Sequence, residues 1–379
     1  MAGSTTTGAK MDVPLLDLKR QWKTIREEAL RRVTQVLDEQ SCILGPAVTE
    51  LEKGIAAYTG VEHAIGCASG TDAILVALRA LGVGHGEEVI TSPYTFFATA
   101  GAIVNAKGRP VFVDIEHDSF NIDVRQIEAA VTPKTRVIMP VHLYGQCADM
   151  DAVNAVAAKR DLRVLEDAAQ SLGAEDKGRR AGSMCDVGAF SFYPSKNLGG
   201  VGDGGMMVTR DAALAERLRS LRTHGGKRRY YHDEVGWNSR LDSLQAAVLS
   251  VKLPLLDRWS ESRRRNAHFY DGALAGIDGV RTPPVGEGKR HIYNQYMLRC
   301  ARRDDLQKHL QERGVGTAIY YPLSLHEQAC FADLGYTSGR FPESEKACRE
   351  NLSIPVHPVL TEAEMDHVVQ SIRAFYGAK

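Results

Sequence analysis

The sequence predicts an α/β fold, a mostly parallel sheet covered by helices on both faces, followed by a smaller α+β domain. Two observations carry this. Short apolar runs at 63–67, 88–91, 110–114, 136–142, 162–166, 187–192 and 205–209 alternate with helical patterns, for example 71–81, 152–159 and 212–221. The runs are apolar almost throughout, as expected of strands buried on both faces. From about residue 253 the pattern changes. A charged helix at 257–273 leads to a Gly/Pro-rich stretch at 276–288, a strand at 293–299, and helices at 304–313 and 362–376.

Ahead of the first strand, Trp22, Ile25, Ala29, Val33, Val36 and Leu37 recur mostly three or four residues apart, which predicts one amphipathic helix over 18–39. The small, polar start predicts a disordered leader over 1–11, without the apolar centre of a secretory signal. The expected organisation is therefore a large domain over 12–252 and a small one over 253–379.

Lys+Arg and Asp+Glu both total 47, so no excess charge points to nucleic acid or an acidic membrane surface. No apolar run approaches the roughly 20 residues of a membrane span. The seven cysteines, Cys42, Cys67, Cys147, Cys185, Cys300, Cys330 and Cys348, are scattered and show neither CxxC pairs nor metal-ligand spacing. Free thiols fit a reducing compartment, and a cytoplasmic protein without a metal site is expected.

Ligands of parallel sheets gather at the carboxyl ends of the strands, and four motifs fall at such places or beyond the sheet. They are Ala68-Ser69-Gly70-Thr71-Asp72-Ala73, Glu166-Asp167-Ala168-Ala169-Gln170, Phe190-Ser191-Phe192-Tyr193-Pro194-Ser195-Lys196-Asn197-Leu198-Gly199 and Gly236-Trp237-Asn238-Ser239-Arg240-Leu241. Taken singly, each has an ordinary reading. Asp167 could cap a turn, Lys196 could be a solvated lysine, and Asn238 and Arg240 could be a loop residue and a surface charge. Helix-opening Gly70 and Thr71 offer backbone N–H groups to an anion.

In order and spacing the four motifs, with Ile43-Leu44-Gly45-Pro46, Gly204-Gly205-Met206, Tyr321-Pro322 and Leu352-Ser353-Ile354-Pro355, resemble the DegT/DnrJ/EryC1/StrS family of sugar aminotransferases. The resemblance runs from about Val13 nearly to the C-terminus. It implies the fold-type I aminotransferase architecture and pyridoxal 5'-phosphate (PLP) as cofactor. By the same resemblance, Lys196 holds the cofactor aldehyde as an imine and Asp167 pairs with the pyridine nitrogen. A carboxylate there favours the protonated ring, the better electron sink. Gln170 is expected on the phenolic oxygen and Phe96 on the ring face, with Phe97 the competing choice. Gly70, Thr71 and Ser191 are expected at the phosphate, and Asn238 reaches it from the neighbouring subunit, which makes the working unit a homodimer.

The resemblance also implies glutamate as amino donor and a nucleotide-linked keto-sugar as acceptor. Arg240, Tyr320, Tyr321 and His326 are the candidate contacts, since tyrosines offer a stacking face and arginine clamps a carboxylate or pyrophosphate. Leu143-Tyr144-Gly145-Gln146-Cys147-Ala148-Asp149 and Asn238-Ser239-Arg240 lean toward members acting on 3-keto hexoses or hexuronates. Sugar dehydratases of the same family carry His where this chain has Lys196. A non-catalytic PLP-binding regulator would need no Asp167/Lys196 pair. Gly200-Val201-Gly202-Asp203-Gly204-Gly205 matches the dinucleotide fingerprint literally, but it precedes an apolar run where the fingerprint should open a helix.

Overall fold

The computed structural model describes residues 11–378. The expected leader, apart from Met11, lies outside the described residues. Seven strands form the central sheet: β1 (His63–Cys67), β2 (Glu88–Thr91), β3 (Arg109–Phe112), β4 (Thr135–Ile138), β5 (Arg163–Asp167), β6 (Val187–Ser191) and β7 (Gly205–Thr209). Their order is β1-β7-β6-β5-β4-β2-β3. The pairs from β6 through β3 are parallel, and β7 is antiparallel to both its neighbours.

The apolar runs are explained by two cores, one on each face. Ala64, Ile90, Ile138, Val164, Phe190, Met206 and Val208 enter one cluster with the helices Pro46–Thr59, Met150–Arg160 and Ser243–Lys252. Their chain neighbours Ile65, Val89, Val137, Leu165, Ala189 and Met207 enter the other, against Gly70–Ala80 and Ala212–Arg222. Period-two alternation is still present, but both sides are buried, so no polar residue marks it.

The C-terminal part has its own core around Tyr270, Tyr296, Leu298, Leu352, Val368 and Ile372. It is built on the antiparallel strands Tyr296–Cys300 and Asn351–Ile354 with the helices Leu256–Leu274, Arg303–Glu312 and Glu362–Tyr376. One assignment needs correcting. Val13, placed by the sequence in the large domain, is fully buried in this C-terminal core. Its N–H donates to the Gly314 carbonyl at 2.8 Å, and its own carbonyl accepts from Gly316 N–H at 2.8 Å.

The helix expected over 18–39 is likewise two, Leu18–Lys23 and Arg26–Asp38, with Ile25 out of helical geometry at φ −122°. The two pieces are tied to different parts of the chain. Arg20 in the first is bound to Asp17 and to Glu364 of the last helix. The second packs on Ser243–Lys252. Among the described residues no helix is long and apolar enough to cross a membrane.

Candidate active site

Three strand ends meet at one edge of the sheet. After β1 the chain turns at Ser69 into the helix Gly70–Ala80, and the Ser69 hydroxyl caps it by accepting from Asp72 N–H at 3.1 Å. Such a cap is worth about 1 kcal/mol. The amides of Gly70 and Thr71 find no acceptor among the described residues. They are therefore free to bind an anion at the positive end of the helix. Gly70 is required by clearance: a Cβ there would lie 2.6 Å from the Cβ of Ser191, the last residue of β6. Ser191 is thus brought against the helix start.

Asp167 ends β5 and is 3% exposed. Its backbone is held from both sides, its N–H donating to Pro140 and its carbonyl accepting from His142, each at 3.0 Å. The carboxylate accepts from Thr99 Oγ1 at 2.7 Å and, more weakly, from Ala169 N–H at 3.3 Å. Burial pushes this carboxyl above its ordinary range, against the pull of Thr99, Ala169 and the Lys196 charge.

Lys196 stands on the loop between β6 and β7, half-buried, its backbone N–H donating to Tyr193. Among the described residues Nζ has no hydrogen-bond partner. Burial lowers its pKa from 10.5 to about 8, with Asp167 pulling the other way. The amine is therefore far more available as a nucleophile and base near neutral pH than a solvated lysine is.

The rest of the cleft is aromatic and polar. Gln170 Oε1 accepts from Tyr144 N–H at 2.7 Å and its Nε2 donates to Tyr321 Oη at 3.1 Å. That fixes the amide orientation and leaves one Nε2 hydrogen to give. Tyr94 and Tyr144 both donate from their hydroxyls to the Tyr320 carbonyl. The Phe96 ring lies 6.1 Å from that of Tyr321 and is 55% exposed, so its face is open at the cleft. Phe97, also exposed, stacks instead on Phe331 at 5.5 Å.

Ser239 is buried and pins the 236–241 segment to the helix start, donating to Asp72 Oδ2 at 2.7 Å. Its neighbours are presented outward: Asn238 is exposed and Arg240 half-buried, with no ion pair among the described residues. His326 is a correction. It is 3% exposed, with Nδ1 on Ser324 Oγ at 2.9 Å, Nε2 on Glu345 Oε1 at 3.1 Å and Phe341 against its ring. Both nitrogens are used in packing, so this side chain is not offered to a substrate.

The sequence reading missed Thr99 and the pair behind Asp167. His142 and Glu166 are fully buried, His142 Nε2 lying 2.8 Å from Glu166 Oε2. Because His142 Nδ1 accepts from Ala148 N–H, Nε2 carries the proton. Burial would raise the Glu166 carboxyl, but His142 and the amides of Gly182 and Met184 hold it below its ordinary value. A second carboxylate directly before Asp167, following the apolar pair Val164 and Leu165 in β5, was the available signal. The glycine run 200–205 precedes β7, a strand, and so cannot open a nucleotide-binding helix.

The residues present fit PLP: a buried carboxylate with one lightly used oxygen, an unpaired amine in the same cleft, and open amides at a helix start. Comparison with known proteins agrees. The family described as the DegT/DnrJ/EryC1/StrS aminotransferase family matches residues 23–373. A protein of Geobacillus stearothermophilus named "Pleiotropic regulatory protein" is 51% identical, covering 97% of this chain and 99% of its own length. A UDP-N-acetyl-3-dehydro-alpha-D-glucosamine 3-aminotransferase of Acidithiobacillus ferrooxidans is 43% identical over 95% of this chain and 97% of its own. The structure of S. venezuelae DesV, solved in complex with a ketimine intermediate, superposes with a TM-score of 0.95 at 41% identity, covering 97% of this chain and 99% of that one. With this geometry and these relatives, the chain belongs to the DegT/DnrJ/EryC1/StrS aminotransferase family and is an enzyme that uses pyridoxal phosphate.

Proposed function

We propose that this aminotransferase moves the amino group of glutamate onto a nucleotide-linked keto-sugar, the ketone at C3 of a hexose or hexuronate. The observation that carries the chemistry is the unpaired Lys196 amine sharing a cleft with the buried Asp167 carboxylate. The substrate class rests on the 3-dehydro sugar in the name of the Acidithiobacillus relative.

PLP, when bound, supplies the electron sink that lets a hydrogen leave the amino-acid Cα as a proton. Lys196 would hold the cofactor covalently and, once displaced by the incoming amine, take and return that proton at Nζ. Asp167 would accept from the ring nitrogen, and Gln170 would give its spare Nε2 hydrogen to the phenolic oxygen. Phe96 would cover one ring face. The amides of Gly70 and Thr71 with the Ser191 hydroxyl would bind the phosphate, and the exposed Asn238 would reach that of a partner subunit in a homodimer. Tyr320, Tyr321 and Arg240 would orient the sugar and its diphosphate. The scattered cysteines, free among the described residues, fit a cytoplasmic enzyme.

The name of the Geobacillus relative favours a second reading, a PLP-binding regulator. One experiment separates the two. The protein is incubated with glutamate and a panel of UDP- and dTDP-linked 3-keto and 4-keto sugars, and products are read by mass spectrometry. An amino-sugar nucleotide from a 3-keto substrate, absent with Lys196→Ala, is expected. A yellow protein inert toward the whole panel would leave the regulator reading standing.

A further inference from the structure

We propose that Thr99 is a positioning residue of this enzyme: its hydroxyl keeps the Asp167 carboxylate ionised and turned so that one oxygen remains for the cofactor ring. The inference rests on the assignment of Asp167 to the ring nitrogen.

Thr99 is the second residue of the helix Ala98–Asn105 and is 1% exposed. Its Oγ1 lies 2.7 Å from Asp167 Oδ2 and 2.9 Å from Oγ1 of the equally buried Thr95. A hydroxyl has one proton to give, and an ionised carboxylate can only accept. Thr99 therefore donates to Asp167, and Thr95 must donate to Thr99. With Asp167 ionised, that count fixes the proton direction along Thr95, Thr99 and Asp167. Chains of this kind polarise each bond in turn, so Thr95 strengthens the donation it does not itself make.

The need for such a donor follows from the surroundings. Asp167 is followed by the buried Ala168 and paired in the sheet with the buried Ala189, and its burial favours the neutral acid. A neutral carboxyl would hold a ring nitrogen's proton poorly. The other groups that face it are Lys196 and His142, which favour its charge, and Tyr321, on which the carboxylate acts in return. Lys196 has the cofactor to hold, and His142 spends its proton on Glu166. Among the described residues, Thr99 is the one side chain that hydrogen-bonds the carboxylate. It binds Oδ2 and leaves Oδ1 with the 3.3 Å amide of Ala169, so the oxygen left for the cofactor is Oδ1.

The test uses the full chain with Thr99→Val, Thr99→Ser, Thr95→Val and Asp167→Asn. The readouts are PLP affinity, by titrating apoprotein and following fluorescence, and the pH midpoint of the visible band of the holoprotein. Losing a hydrogen bond to a charged group predicts PLP binding weaker by about ten-fold or more in Thr99→Val, with a displaced midpoint. Thr99→Ser is expected to keep both near wild type, and Thr95→Val to show a smaller change of the same sign. If Asp167→Asn is impaired but folded Thr99→Val binds and titrates as wild type, the inference is overturned while the function stands. If Asp167→Asn itself is unchanged, the assignment of Asp167 falls and Thr99 with it. Should Thr99→Val not fold by circular dichroism, Thr95→Val decides, and an unchanged affinity and midpoint there overturns the proposal.

Discussion

Gly70 is packed so closely on Ser191 that a methyl group on the former would stand 2.6 Å from Cβ of the latter and 2.9 Å from its Oγ. The neighbour is a strand residue, Ser191 at the end of β6, and its backbone Cα is itself 3.2 Å from the same point. The contact cannot be relieved by rotating a flexible side chain, so the helix start or the strand end must move.

Gly70→Ala should therefore damage the anion cradle before it damages the fold. The expected result is a folded protein by circular dichroism with PLP affinity lowered by about ten-fold or more, an overpacking cost of about 1–3 kcal/mol falling on this site. Equilibrium dialysis of PLP against wild type and variant checks it. Equal affinity would mean that the amides of Gly70 and Thr71 do not hold the phosphate.

Lys196 predicts a pH dependence of cofactor capture. Its pKa of about 8 in the cleft means that the neutral, nucleophilic amine increases as pH rises through 8 and levels off above it. The rate at which apoprotein captures PLP, followed by the growth of the visible band at fixed PLP, should rise over that window. A midpoint near 10.5 would show the amine to be solvated. Stability moves with pH in the same direction. The unfolded chain holds this proton up to about 10.5, so burial of Lys196 costs stability below pH 8, and the cost is relieved between 8 and 10.5.

Glu166 should be a costly residue to truncate. Glu166→Ala leaves the His142 Nε2 proton and the amides of Gly182 and Met184 without acceptors in a fully buried place. Breaking a buried pair in this way costs about 3–5 kcal/mol, to be read as a lowered urea midpoint at unchanged slope. Glu166→Gln keeps an acceptor and should lose less. Equal losses in both would refute the part given to the hydrogen bonds.

Acid should destabilise the protein through two buried histidines. Burial takes His291 down to about 3 and His357 to about 4. Folded-state values below the unfolded 6.5 mean that their stability is fully present above pH 6.5. It is then lost as pH falls toward 4, at about 1.4 kcal/mol per pH unit per histidine. Unfolding midpoints of wild type and His357→Leu between pH 7 and 4.5 test this, the variant having the shallower fall. The ring nitrogens of His357 have no hydrogen-bond partner among the described residues, so the leucine leaves no group orphaned in their place.

How much of this could be read in the sequence depended on whether a residue's role was local. Lys196, Asp167 and Gln170 were legible because each sits in a distinctive motif at a strand end, and the strands themselves were legible as unbroken apolar runs. Thr99 was not: a threonine near a helix start has an ordinary local use, and its partner lies 68 residues away. The break at Ile25 was hidden for a related reason. The apolar spacing continues across it, while the two pieces are held by different partners, one by the Arg20–Glu364 ion pair and the other by packing on Ser243–Lys252. His326 and Val13 failed because polarity and chain position are poor guides to depth. The histidine is buried with both nitrogens engaged, and the valine crosses to a core otherwise formed near the far end of the chain.

The reversed strand β7 has a mechanical consequence. The loop bearing Lys196 leaves β6 and returns into β7, two strands hydrogen-bonded side by side, while Asp167 ends β5 on the other flank of β6. Amine and carboxylate are thus mounted on three adjoining rails of one rigid sheet. Tyr320 and Tyr321, by contrast, are carried on the stretch running into the C-terminal core. A shift of that stretch would have to break the bonds of Tyr320 and Tyr321 to Tyr94, Tyr144 and Gln170, and would leave the strand ends that carry Lys196 and Asp167 in register.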